Sequence, residues 1–350
     1  MQDPFLGLNH DRGGGLLPVG SEYLLTDDDH VLPMMASQAI PSAHNTITGF
    51  SSGAQASGSP ASTLVGASSG LQIDLIWDAS VKTSASWSAI ESAVVSAAQI
   101  YTSAFSNHTV LNIDVGLGEV GGTKLGSNDL GESESNAYLT SYATVQSALT
   151  TSDAGLVHAG QMSANAVSAL QSLKGESFFV TSAEAKALNL VSPAASSVDG
   201  YIGLGTSGLY FPAAGGSIKS SQYDAVGVAA HELSEVMGRI GLEGSNLGSH
   251  RDIYTPLDIF RYSAANTPDT TPTAGYFSLN DGATVLDAYN NPANGGDGAD
   301  WATSSANHLN AYDAYGTPGV ITQVTTADLL EVAALGFQVD SGHILGTVTA

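Results

Sequence analysis

Between residues 71 and 120 the hydrophobic period of the chain changes twice, and this restricts it to folds that combine strands with helices. In LQIDLIWDAS, Leu71, Ile73, Leu75 and Trp77 alternate with mostly polar neighbours, the two-residue period of a strand. SWSAIESAVVSAAQIYTSAF (86–105) then places Ile90, Val94, Ala97, Ala98 and Tyr101 on one helical face. TVLNIDVGLGEV (109–120) returns to a strand pattern, followed by a Gly-, Asp- and Glu-rich loop and short helical segments near 139–150 and 163–174. FFVTSAEAKALNL (178–190) carries the capping-box signature Thr181 to Glu184 at a helix start. GYIGLG (200–205) reads as a short strand, a helix runs from about Tyr223 to Ile240, and a long irregular region follows. TTADLLEVAALGF (325–337) is an amphipathic helix stopped by Gly336. This order predicts an α+β fold with one core. GFSSGAQASGSPASTLVGASSG (49–70) has linker composition. The expected organisation is therefore a flexible Gly/Ser/Ala-rich segment at 1–69, a domain at 70–340 and a tail at 341–350.

Composition limits the partners. The 33 acidic residues outnumber the 9 basic ones, for a formal net charge of -24. Phosphate recognition needs clustered Lys and Arg, so nucleic acid and anionic membrane surfaces are excluded as expected partners. Such a chain suits divalent cations and cationic substrates. No apolar run reaches the ~20 residues of a membrane-spanning helix. Cysteine is absent, which rules out disulfides and thiolate metal sites. Only 12% of residues are charged, so Ser, Thr, Asn and Gly must build much of the surface. These features suit a bacterial extracellular protein, expected to be monomeric. The start, MQDPFLGLNHDRGGGLLPVGSEYLL, lacks the basic and apolar regions of a signal peptide and leaves the export route open.

The chemistry concentrates in AVGVAAHELSEVMGRIGLEG (225–244). His231 and Glu235 stand four residues apart, so both leave the same helix face and can reach one tetrahedral metal. Glu232 lies about 100° round the helix, placed for a metal-bound water and the role of general base. A competing reading pairs Glu235 with Arg239 as an ordinary i,i+4 ion pair. The small apolar run before His231 argues for a buried helix start, and a buried His among carboxylates needs partners. GGDGADWAT (295–303) fits one calcium-binding nonapeptide, but such repeats work in stacks, so a turn with Asp297 and Asp300 capping backbone amides is expected. VGLGEVGG lacks the Lys-Ser/Thr of a phosphate loop, and no G-x-S-x-G elbow is present.

HELSEVMGR (231–239), TPLDIFRYSA (255–264), YFSLNDG (276–282), GGDGADWA (295–302) and DLLEVAALGF (328–337) occur together, with NIDVGLGEVGGTKLGS (112–127) and TSAEAKALNL (181–190) upstream. In this the chain resembles a family of secreted bacterial zinc metalloproteases with an H-E-(I/L)-S-E-V-M-G-R motif, over roughly residues 70–340. The resemblance implies a zincin, metzincin-like catalytic domain with a mixed sheet and a motif-bearing active-site helix. It implies a Zn2+-dependent endopeptidase acting on protein or peptide substrates, with Glu232 as general base. Against the metzincin pattern H-E-x-x-H-x-x-G-x-x-(H/D), His231, Glu232 and Gly238 are kept, while Glu235 and Gly241 depart. No methionine follows Met237, so the usual Met-turn is absent. The third ligand must then come from elsewhere. Asp258, which interrupts an apolar segment, is the first choice, with His250 and His308 as alternatives. A plain Asp258–Arg261 ion pair competes with that role. Tyr262 is the expected oxyanion support. The alternative class is a catalytically silent extracellular binding or structural protein that keeps the helix, with Ca2+ as a structural cation.

Overall fold

The computed structural model describes residues 22–26, 31–33, 61–168, 173, 176–247, 250–303 and 309–340. His308 and the tail at 341–350 lie outside them, as does part of the helical segment expected at 163–174. The described chain is a mixed α/β structure built on one large mixed sheet. Its strands in chain order are β1 (Glu22–Thr26), β2 (Val31–Pro33), β3 (Ser62–Val65), β4 (Gln72–Trp77), β5 (Val110–Leu117) and β6 (Gly131–Ser141), then β7 (Ser177–Thr181), β8 (Gly200–Leu204), β9 (Ser245–Leu247) and β10 (His250–Tyr254). The sheet order is β9-β10-β7-β6-β8-β5-β4-β3, with β1 pairing both β2 and β6.

The central pairs β4/β5 and β5/β8 are parallel, whereas β6 runs antiparallel to β8 and to β7. Alternation builds β4 as expected: Ile73, Leu75 and Trp77 are buried, and Gln72, Asp74 and Ile76 are half-buried. The stretch read as a linker contains β3, which pairs antiparallel with β4. There the run Thr63-Leu64-Val65 outweighs its Gly/Ser surroundings, and Trp77 Nε1 donates to Thr63 Oγ1 at 2.9 Å. The sheet therefore begins before residue 70.

Six helices matter for the site: α1 (Trp87–Ala104), α2 (Tyr142–Ser152), α3 (Ala154–His158), α4 (Ser182–Ala187), α5 (Ala225–Val236) and α6 (Thr326–Ala334). α1 presents Ile90, Ala93, Val94, Ala97, Ala98, Tyr101 and Ala104 to the interior. α5 packs on α1 and across β6 and β8. Small residues on both helices, such as Ala97 and Ala229, permit the close approach. Tyr101 Oη donates to Ala230 O at 2.6 Å.

A buried ion pair fastens α4 to the sheet. Lys186 Nζ lies 2.6 Å from Asp199 Oδ2, with both side chains fully buried. Asp199 also accepts from the Asn112 amide and Ser182 Oγ, and Lys186 donates to Val110 O. Burial still pushes the Asp199 carboxyl upward against the pull of Lys186. Removing one member strands the other charge away from water. Asp199→Ala is expected to lower stability by about 3–5 kcal/mol, read as the shift in a urea denaturation curve.

Candidate metal centre

α5 begins at Asp224, whose side chain accepts from the Val226 amide at 3.2 Å, and stops where Gly238 adopts φ +116°. That left-handed residue returns the chain so that Arg239 lies beneath the helix with no solvent exposure. His231 faces a cleft of about 440 Å³. Its Nε2 stands 3.1 Å from Glu235 Oε1 and 3.2 Å from Asp300 Oδ1. The three donor atoms lie within 4.8 Å of one another, a group able to hold a metal ion.

The group is held from behind. Arg239 Nη2 donates to Glu235 Oε1 at 3.0 Å and Nη1 to Asp300 Oδ1 at 2.5 Å. Arg239 Nε donates to Ser234 Oγ at 2.7 Å, and the guanidinium stacks over the Tyr312 ring at 4.4 Å. The second oxygen of Glu235 accepts from Ser133 Oγ of β6 at 2.9 Å. The expected i,i+4 pair of Glu235 and Arg239 thus forms, in the interior and not on a solvated helix face.

The third member is Asp300, not Asp258. In the turn at 295–301 Asp297 caps the Ala299 amide at 2.6 Å as expected, whereas Asp300 points to His231 and Arg239. The next residue, Trp301, donates through Nε1 to Asp328 Oδ1 at 2.7 Å. Asp328 belongs to the capping box that opens α6, so the last helix fixes the loop that delivers Asp300.

The remaining expected residues divide between cleft and scaffold. Glu232 lines the cleft and packs on Gly131, where an added Cβ would lie 2.4 Å from Glu232 Oε1. Asp258 is buried in a short 3-10 turn (Pro256–Phe260), accepting from the amides of Thr255 at 2.7 Å, Glu243 at 3.2 Å and Leu242 at 3.3 Å. Burial pushes its carboxyl up to about 6 against those hydrogen bonds. Its task is to shape the loop after α5. Nor is it simply paired with Arg261, whose guanidinium lies 3.0 Å from Glu243 Oε1. Tyr262 is buried on a small separate sheet, its ring stacked on Tyr276, away from the cleft. The tyrosines that line the cleft are Tyr223 and Tyr315. His250 sits on β10 with its ring against Phe179.

A specific electrostatic demand follows from the imidazole. Its Nδ1 stands 2.8 Å from Ala311 O, a contact that only an Nδ1–H can make favourable. Nε2 then faces two carboxylate oxygens, which repel its lone pair unless a proton or a metal cation stands between. Burial by itself would lower the His231 pKa, but Asp300 and Glu235 outweigh it and hold the ring well above the ordinary histidine value. Asp300 is correspondingly held low by His231 and Arg239 despite its burial.

With no cation at the group, the raised His231 pKa contributes stability that is full below the unfolded value of about 6.5. That contribution fades as pH rises through the folded value. Chelator-treated protein is therefore expected to lose denaturation free energy progressively above about pH 6.5, and His231→Gln should flatten this part of the profile. Comparison of the chain with protein-family models, curated proteins and solved structures returned no match.

Proposed function

We propose that the chain is a zincin-like, Zn2+-dependent endopeptidase whose metal is held by His231, Glu235 and Asp300. The observation that carries this reading is His231 Nε2 aimed at two carboxylate oxygens while Nδ1 is committed to Ala311 O. The donor chemistry fits: one imidazole nitrogen and two carboxylate oxygens are accepted zinc ligands. The separations of 3.1 and 3.2 Å are close to the ~3.3 Å edge of a tetrahedron with ~2.0 Å bonds. Bound Zn2+ would supply Lewis acidity toward a peptide carbonyl and lower the pKa of its water.

The chain's own residues do the rest. Glu232, on the cleft wall beside His231, takes a proton from the attacking water and returns it to the leaving amine. Gly131 leaves the space in which that carboxylate stands. Two carboxylate ligands donate more electron density than two histidines would and so weaken Lewis acidity. Arg239 draws on the same two oxygens and offsets part of that effect. Peptide segments are the substrates the open cleft admits.

One observation favours a second reading. Arg239 already neutralises the oxygens of Glu235 and Asp300 that a metal would use, and a protonated His231 would complete a closed ion-pair network. The protein would then be a catalytically silent binding or structural module.

Metal analysis and a protease assay on denatured protein separate the two. The peptidase reading expects one zinc per chain, lost in Asp300→Ala and kept in Asp258→Asn. Glu232→Gln should keep the zinc and lose about 10²–10⁴-fold in kcat. Gly131→Ala should lower kcat with metal content unchanged, because the methyl displaces Glu232. Wild type that takes up no zinc when supplied with it overturns the peptidase reading and leaves the closed ion-pair network.

A further inference from the structure

Two carboxylates away from the cleft are buried with no positive charge to meet them among the described residues. Asp153, between α2 and α3, is 2% exposed and Glu184, on α4, is 0% exposed. All four of their carboxylate oxygens are shielded from solvent and have no hydrogen-bond partner among the described residues. Asp153 stands at the start of α3 but caps no amide there. The Thr181 amide leans toward Glu184 and lowers its pKa somewhat, without reaching hydrogen-bond geometry. Burial pushes both carboxyls well above the usual range, and the charge of Asp153 pushes Glu184 further. Among the described residues no Lys, Arg or His is one of the groups acting on either.

The two carboxylates lie within electrostatic reach of each other, and their neighbours meet at the end of α6. Leu188 lies one turn after Glu184 on the same side, and Ser152 directly precedes Asp153. Both press on Gly336, where a Cβ would lie 2.3 Å from Leu188 Cδ2 and 3.5 Å from Ser152 Oγ. On another side Glu184 Oε2 is 3.1 Å from the place of a Cβ on Gly238. Gly238 and Gly336 are the left-handed residues that end α5 and α6, with φ +116° and +102°. A helix C-terminus carries partial negative charge, so these ends add to the negative potential of the carboxylates. Leaving two ionised carboxylates there uncompensated is costly.

We propose that Asp153 and Glu184 hold a hard divalent cation of the calcium class, enclosed by α2, α3, α4 and the C-terminal ends of α5 and α6. Its charge matches the two carboxylates, and an all-oxygen donor set is what such a cation takes, with backbone carbonyls completing the shell. Nitrogen and sulfur donors preferred by softer metals are absent from the pair. The cation would brace the end of α5 opposite the cleft. This site is independent of whether zinc binds at His231.

The test uses the full chain, stripped with chelator and titrated with calcium chloride. Equilibrium dialysis is expected to find one tightly bound calcium per chain, in wild type and equally in His231→Ala, which disables the cleft site. The thermal midpoint should rise by about 5–10 °C at calcium a hundredfold above its dissociation constant. Asp153→Asn and Glu184→Gln, each near-isosteric, should abolish both effects. Failure of wild type to bind calcium overturns the proposal, as does binding that survives both substitutions. Variants that are more stable than a calcium-indifferent wild type at neutral pH also overturn it, and assign protons to the pair.

Discussion

The guanidinium of Arg239 is the interaction on which the candidate centre depends. Two carboxylates and an imidazole gathered in the interior would repel one another, and taking each charge out of water costs several kcal/mol. Arg239 meets Glu235 and Asp300 at 3.0 and 2.5 Å, is itself fully buried, and is held flat by the Tyr312 ring and by Ser234 Oγ. Tyr312 in turn is joined through Tyr101 to the backbone of α5 at Ala230. Helix packing, ion pairing and donor placement are thus one network. A change in any member moves the others.

That network also gives Glu235 a physical meaning. A histidine at this position would leave Arg239 facing a neutral ring, with one carboxylate in place of two. A glutamate supplies both a candidate metal donor and a counter-charge for the buried guanidinium. Glu235 and Arg239 one turn later therefore belong together, and neither is intelligible alone.

Much of the frame could be read from residue order. β4 and α1 each show one face with a clean period, because each buries one side against the core, whereas β5 and α6 were legible from apolar content and the cap at Thr325 although both are buried nearly all round. β6 was not legible. ESESNAYLTS looks like loop because this strand, paired on both edges, carries polar residues for the site and its surroundings: Ser133 serves Glu235, and Asn136 donates to Val198 O. In the centre, the helical pair His231 and Glu235 was legible from spacing, since i,i+4 placement is local. Asp300 was not, because a turn rich in Gly and Asp suggests amide capping, which Asp297 does perform. Asp258 drew attention as a charge among apolar residues. Such a charge can serve backbone amides as well as a metal, and here it holds the amides of Leu242, Glu243 and Thr255.

The bond from Trp301 to Asp328 has a consequence for timing. His231 and Glu235 emerge from the ribosome together, but Asp300 comes much later, in a loop that Trp301 ties to the capping box of α6. A chain still being synthesised therefore has two donors and an unanchored third. The loop that carries Asp300 gains this anchor only once α6 has been made and has docked.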